Sequence, residues 1–135
     1  MTLFSFPPLS LSTHYAYAKE QIGNPLVYCL SSDEPWLATV AISVTTTMLI
    51  LGHNVTLLLS IEGVQIGVKH PDSYLGHDML SRNVMNFMAD GGKVIICEVC
   101  LRIAGYNNSY IIDKVIVGKS EIISNLLSKA TVIDY

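Results

Sequence analysis

The chain has 135 residues, of which 50% are hydrophobic and 14% are charged, and its net charge is −3 at pH 7. This length suits a single domain, and the lysines and arginines are scattered without a basic run, so the composition excludes a typical nucleic-acid-binding surface. Charged residues usually make up about 25% of a soluble domain. The low share here predicts either a membrane segment or an apolar surface that is buried in a homo-oligomer.

The uncharged stretch from Pro35 to Ile61 is the candidate membrane segment. Gly52 to Asn54 interrupts it, and both of its flanks are acidic, with Glu34 before it and Glu62 after it. A membrane-spanning helix needs about 20 mostly apolar residues, usually with basic residues on one flank. We therefore expect no membrane span here, but a buried helix followed by a buried strand.

The beginning of the chain and its cysteines indicate a cellular compartment. Residues 1–24 lack the basic start and continuous apolar segment of a secretory signal, and we interpret them as an arm that precedes a domain at 25–135. The three cysteines are an odd number and include a close Cys-x-x-Cys pair, which is unlike a secreted disulfide framework. A reducing cytoplasm is the expected compartment.

Strand and helix patterns alternate along the chain. Apolar runs predict strands at 25–30, 54–60, 93–97, 113–117 and 131–134, and helices are predicted at about 33–51, 78–90, 98–104 and 120–129. The predicted N-caps are Asp33 or Ser32, then Asp78 and Ser120. Residues 62–77 are the longest irregular stretch. This alternation predicts an α/β fold, a three-layer α/β/α sandwich with a mainly parallel five-stranded sheet.

Cys97 is the residue with the clearest chemical interpretation, because it ends a predicted strand where a helix begins. In parallel sheets, sites lie beyond the carboxyl ends of the strands. A sulfur facing the helix start would meet free N–H groups and a positive dipole end, which lower a thiol pKa and favour a nucleophilic thiolate. Glu98 would oppose this unless its side chain points to solvent. An ordinary buried cysteine is the equally weighted alternative.

Cys100 lies one helical turn after Cys97, so both sulfurs can share a helix face. Cys100 could resolve an oxidised Cys97 as a disulfide, form half of a metal site, or simply pack beneath the helix, and packing is the preferred interpretation. Zinc needs about four ligands, and the sequence offers no second close pair, so no metal is expected. Cys29 is interpreted as a strand-core residue, with contact to Cys97 as the minor alternative because Cys29 lies near the same sheet edge.

His70 and His77 flank the irregular stretch, where they could polarise a bound anion. The preferred interpretation is two exposed loop histidines. The chain has neither a Gly-x-Ser-x-Gly nucleophile elbow nor a Gly-x-x-x-x-Gly-Lys phosphate loop.

The order of these motifs resembles the DsrE/DsrF-like family, which includes sulfur-relay proteins of the TusD kind. The matching features are Leu51-Gly52-His53-Asn54-Val55, the strand Thr56 to Leu59, Glu62-Gly63-Val64, Gly91-Gly92, Cys97-x-x-Cys100-x-x-x-x-Gly105 and the terminal Asp134-Tyr135. The resemblance covers roughly residues 25–135. Relatives often carry an arginine just before the glycine, where this chain has Ile103-Ala104 and places Arg102 one step earlier.

The resemblance implies a parallel α/β/α sandwich that assembles as a homotrimer or hexamer. It implies that Cys97 carries sulfane sulfur as a persulfide or thiosulfonate, with Cys100 matching a second cysteine of some relatives. Sulfur would pass from a donor protein to an acceptor thiol, for example on a TusA-like carrier, with no metal or organic cofactor. The function predicted from the sequence is therefore a sulfur carrier or sulfurtransferase.

Two alternatives remain open at this point. The low surface charge and the existence of relatives without the cysteine favour a non-enzymatic interaction subunit of a sulfur-metabolism complex. The Cys97–Cys100 spacing also fits a thiol–disulfide redox protein, because a disulfide needs a Cα separation of about 4.4–6.8 Å.

Overall fold

The computed structural model describes residues 23–69 and 76–135. These residues form the strands β1 (Leu26–Leu30), β2 (Val55–Leu59), β3 (Lys93–Cys97), β4 (Ile116–Gly118) and β5 (Thr131–Asp134). They also form the α-helices α1 (Pro35–Ile50), α2 (His77–Ala89), α3 (Glu98–Ile103) and α4 (Ser120–Ser128), and 3-10 helices at Ile61–Gly67 and Asn108–Tyr110. The predicted arm, except for residues 23 and 24, lies outside the described residues, as does His70.

The described strands form one sheet in the order β4-β3-β2-β1-β5, and each neighbouring pair is parallel. This arrangement confirms the predicted α/β fold with a parallel sheet. All residues of the central strand β2 are buried, which explains its continuous apolar sequence. Because the strands are parallel, their carboxyl ends share one edge, and β3 brings Cys97 to that edge.

Helices cover both faces of the sheet. On one face, α1, α2, α3 and the Ile61–Gly67 helix contribute to the larger core, together with Leu57 of β2 and Ile96 of β3. On the other face, α4 packs on Val27, Leu58 and Ile95. Neighbouring residues of a strand point to opposite faces, so each inner strand supplies both cores.

The start of α1 differs from the prediction by one residue. Glu34, rather than Asp33 or Ser32, is the N-cap, and its Oε2 accepts a hydrogen bond from the N–H of Leu37 at 2.7 Å. Ser32 acts one step earlier, where its hydroxyl accepts a hydrogen bond from the N–H of Glu34. Asp33 does not cap α1, and its carboxylate contacts the start of α2 instead.

The starts of α2 and α4 also correct the prediction. Gly76 is the N-cap of α2, with a φ of 87°, and Asp78 lies in the first turn of the helix. A left-handed φ is accessible to glycine without strain, so the chain can turn into the helix here without a capping side chain. At α4 the N-cap is Lys119, and Ser120 is already helical.

The predicted fourth strand at 113–117 is displaced to Ile116–Gly118. A turn occupies its first part, where the N–H of Val115 bonds to the carbonyl of Ile112 and Lys114 has a φ of 74°. The irregular stretch predicted at 62–77 also begins differently, since Ile61–Gly67 is a 3-10 helix. A Cβ at Gly63 would overlap the carbonyl oxygen of Leu30, so glycine allows this helix to pack against the end of β1.

Within residues 23–69 and 76–135, no helix has both the length and the apolar content that crossing a bilayer requires. The uncharged stretch after Pro35 instead forms α1, a turn and the buried strand β2.

Candidate thiol site at the carboxyl edge of the sheet

Cys97 lies at the junction between β3 and α3, as the sequence predicts. It is the last residue of the strand and the N-cap of the helix, with φ −64° and ψ 117°. Its Sγ accepts a hydrogen bond from the N–H of Cys100 at 3.3 Å. The residue is partly buried, and the backbone hydrogen bond holds its sulfur at the start of α3.

The pKa of the Cys97 thiol is raised, which contradicts the prediction of a lowered value. Burial of the thiol is the largest cause, and a hydrogen bond with the Cys100 side chain adds to it. The backbone N–H groups of Cys100 and Val99 act in the opposite direction, but they do not outweigh burial. Desolvation disfavours the charged form of a thiol, and α3 has only six residues, so its start provides limited compensation.

Glu98 is not among the groups that raise the pKa of the Cys97 thiol. Its carboxylate lies 3.9 Å from Arg102, one helical turn later on α3. Arg102 in turn donates hydrogen bonds to the carbonyl of Tyr106 and to Oδ1 of Asn108. The arginine therefore connects α3 to the segment that follows it.

Cys100 has two roles in the structure. It packs against the larger core, in agreement with the packing interpretation, and it also lines a surface cavity of about 350 Å³. The remaining lining residues are Ile61, Glu62, Gln65, Ile103 and Ala104. The cavity thus reaches Cys100, one helical turn after Cys97.

The cavity combines apolar walls with a fixed polar group. Ile61 and Ile103 are 61% and 81% exposed, so they present apolar surface around the opening. Gln65 is positioned by Tyr106, whose hydroxyl donates a hydrogen bond to the Gln65 side-chain oxygen at 2.7 Å. A ligand or partner segment entering this cavity would meet apolar contacts beside a thiol.

Gly118 is the neighbour of Cys97 in the sheet, since the two residues are paired between β3 and β4. A Cβ at Gly118 would overlap the side chain of Ile95 and press on Ile123 of α4. Only a glycine therefore lets α4 approach the sheet this closely beside the cysteine.

Cys29 is not brought to the thiol pair. It lies on β1 and is separated from β3 by β2, and its register partner on β2 is Leu58. Burial and the nearby Asp134 carboxylate raise the pKa of the Cys29 thiol to about 11. The Cys29 thiol is therefore protonated near neutral pH.

His77 corrects the prediction of an exposed loop histidine. It is the first residue of α2, it is 4% exposed, and its Nε2 lies 3.1 Å from Oδ2 of Asp33. The contact connects the loop after β1 to the start of α2. His77 is therefore a buried structural partner, whereas His70 lies outside the described residues.

No group of three or more His, Cys, Asp or Glu side chains in the described ranges is arranged to hold a metal ion. The cavity residues Ile61 and Gln65, and Gly118 beside Cys97, carry no functional signal in the sequence. Their sequence surroundings resemble ordinary helix and turn positions, and only the tertiary packing brings them to the cysteines.

The fold and the site define a class of protein: a parallel α/β domain with a cysteine pair at the carboxyl edge of its sheet. The fold is shared with the ychN protein from E. coli, with a TM-score of 0.62 and 15% identity over 84% of this chain and 100% of that one. It is also shared with MTH1491 from Methanobacterium thermoautotrophicum, a protein of unknown function, with a TM-score of 0.67, 16% identity and the same coverage. No protein-family model and no curated protein matches the sequence.

Proposed function

We propose that this chain is a sulfur carrier that holds sulfane sulfur on Cys97 and passes it to a partner thiol. The observation that carries the proposal is the position of Cys97, which ends β3 and caps α3 at the carboxyl edge, one helical turn before the cavity-lining Cys100. The resemblance of residues 25–135 to the DsrE/DsrF-like family supports the same assignment. We also propose a reducing compartment such as the cytoplasm, where the three free cysteines would persist.

The proposed reaction has two balanced steps. The Cys97 thiolate attacks the outer sulfur of a donor persulfide, forming a new S–S bond while the donor thiolate leaves. An acceptor thiolate then attacks that outer sulfur, and the Cys97 thiolate leaves. The N–H groups of Cys100 and Val99 hydrogen-bond to the sulfur and favour the anion in both steps. Sulfur moves without an added oxidant, because each step forms one S–S bond and breaks one S–S bond.

The raised pKa of Cys97 limits the rate of this chemistry in the isolated chain. The thiolate is the nucleophile, and a thiol with a higher pKa is also a poorer leaving group. We therefore propose that a donor or acceptor protein, for example a TusA-like carrier, completes the site when it docks over the cavity. The apolar walls at Ile61 and Ile103 suit such a contact.

Mass spectrometry of the intact protein tests the proposal. The protein is incubated with polysulfide or with a thiosulfate or tetrathionate donor, and wild type is compared with Cys97→Ser and Cys29→Ser. We expect sulfur-sized or thiosulfonate-sized adducts on wild type and Cys29→Ser, and none at this site on Cys97→Ser. Normal sulfur uptake by Cys97→Ser would contradict the proposal.

A non-enzymatic interaction subunit is the second candidate function. The raised pKa of Cys97 and the exposed apolar side chains of Ile61 and Ile103 favour it. This candidate predicts that Cys97→Ser preserves both the assembly and the cellular function. Loss of sulfur transfer in that variant, with the assembly intact, would reject it.

A further inference from the structure

Cys97 and Cys100 lie side by side at the start of α3. The N–H of Cys100 donates a hydrogen bond to Sγ of Cys97 at 3.3 Å. Both are partly buried, and Cys100 lines the cavity through which sulfur species would approach. A sulfur atom loaded on Cys97 would therefore lie next to a second thiol of the same chain.

We propose a second activity for this pair, the release of sulfide from a persulfide on Cys97 by attack of Cys100. This inference rests on the proposed function, because it starts from a loaded Cys97. The Cys100 sulfur attacks the inner sulfur of the Cys97 persulfide, so that a Cys97–Cys100 disulfide forms and the bond to the outer sulfur breaks. The outer sulfur leaves as hydrosulfide and takes the proton of the Cys100 thiol.

The electrons balance within the chain. The sulfane sulfur gains two electrons and becomes sulfide, while the two cysteine sulfurs lose one each and become a disulfide. A dithiol reductant would restore the two thiols for another cycle. The protein would thus act as a dithiol-dependent persulfide reductase whenever no acceptor takes the sulfur first.

The leaving groups favour this outcome over transfer when the chain is alone. Transfer to an acceptor requires the Cys97 thiolate to leave, and the raised pKa of Cys97 makes it a poor leaving group. Attack on the inner sulfur instead expels hydrosulfide, whose parent acid is stronger than an ordinary thiol. The raised pKa of Cys97 therefore slows transfer to an acceptor but does not slow the release of sulfide, in which Cys97 is not the leaving group.

Closure of the disulfide requires Cβ atoms about 3.5–4.5 Å apart. Cys97 is the N-cap of α3, and its Sγ already lies 3.3 Å from the backbone nitrogen of Cys100 in the first turn, so the movement needed for closure is confined to that turn. Val99, between the two cysteines, is exposed, so this movement disturbs little of the core.

A single-turnover experiment tests the inference on the full chain. Wild type, Cys100→Ser and Cys29→Ser are loaded with polysulfide without oxygen, desalted rapidly, and followed by intact mass and a sulfide assay. We expect the wild-type adduct to lose one sulfur atom and leave a species two hydrogens lighter than the free protein, with one equivalent of sulfide. Cys29→Ser should behave like wild type, and the rate should not depend on protein concentration.

In Cys100→Ser the adduct should persist, with sulfide release at least ~100-fold slower, because the attack is no longer intramolecular. Equal release by wild type and Cys100→Ser, or a wild-type adduct that is stable or moves to Cys100 without sulfide, would overturn this inference while leaving the carrier function standing. Absence of any adduct at Cys97 in both proteins would overturn the carrier function and this inference together.

Discussion

At the scale of the single residue, the position of Cys97 and the reactivity of its thiol have different causes. Its position depends on where β3 ends, and the apolar run before it in the sequence indicates this. Its pKa depends on burial and on the Cys100 side chain, which outweigh the two backbone N–H groups. The thiol is therefore well placed for chemistry at the sheet edge but is mostly protonated near neutral pH.

The raised pKa values lead to a prediction about alkylation. Iodoacetamide modifies thiolates, so its rate at Cys97 should still be rising above about pH 9, where the rate at an unperturbed thiol begins to level off. Below the pKa, the rate should increase about tenfold for each pH unit, because the thiolate fraction does so. Cys29, with a pKa of about 11, should show a rate that keeps rising to about that pH. Peptide mass spectrometry after timed alkylation measures each site separately.

The reference for this measurement is an unstructured peptide containing the Cys97-Glu98-Val99-Cys100 sequence, which gives the unperturbed rates. A plateau of Cys97 alkylation below about pH 8 would contradict the raised pKa. Such a plateau would instead support the low pKa that was predicted from the strand-to-helix junction.

At the scale of elements, Asp33 and His77 connect two parts of the fold that are distant in the sequence. Asp33 lies in the loop between β1 and α1, and His77 begins α2, with 3.1 Å between the carboxylate oxygen and Nε2. His77 is buried, so its ring nitrogen is shielded from water, and the Asp33 carboxylate provides a polar partner in place of water. It helps to fix the start of α2 against the carboxyl edge.

Replacing Asp33 by alanine should therefore destabilise the protein. Loss of one partner from a buried polar contact costs about 1–3 kcal/mol in the free energy of unfolding. The control is Asp113→Ala, which removes an exposed ion pair with Lys69 at 3.3 Å. Because exposed pairs contribute little, that change should stay within about 1 kcal/mol.

Urea unfolding of both variants, followed by circular dichroism, measures the two free energies. Equal effects at Asp33 and Asp113 would show that the buried contact contributes no more than an exposed one. Asp33→Asn keeps the side-chain shape and an acceptor oxygen, so it should recover part of the loss.

At the scale of the whole molecule, apolar surface remains at the carboxyl edge. The carboxyl-edge apolar surface consists of Trp36, Ile61, Val99 and Ile103, each more than half exposed, with Trp36 at 80%. Ile61 follows the end of β2, and Trp36 and Val99 lie in the first turns of the helices after β1 and β3. Ile103 ends α3. Together with the low share of charged residues, this surface supports the proposed homotrimer or hexamer.

We therefore expect sedimentation equilibrium to give the mass of a trimer or a hexamer. Trp36 is the single tryptophan of the chain, so its fluorescence reports on the carboxyl-edge apolar surface alone. Emission should shift to shorter wavelength in the assembly and to longer wavelength on dilution, because assembly removes the ring from water. A monomer with solvent-exposed emission at every concentration would reject the proposed assembly.

The sequence by itself predicted the fold and one position of the site. The buried runs before Cys29, in β2 and before Cys97 predicted parallel strands, because strands covered on both faces must be apolar throughout. The end of β3 at Cys97 followed from the helix pattern after it. These features are local, so the order of residues along the chain is sufficient to specify them.

The tertiary structure decided the properties that depend on residues distant in the sequence. The contact between His77 and Asp33, the cavity between Ile61 and Ile103, and the burial of Cys97 all arise when separate segments pack at the carboxyl edge. Burial raises a thiol pKa through desolvation, which no local motif reveals. The sequence therefore determined where the cysteines stand, and the packing around them decided their protonation and their access to a partner.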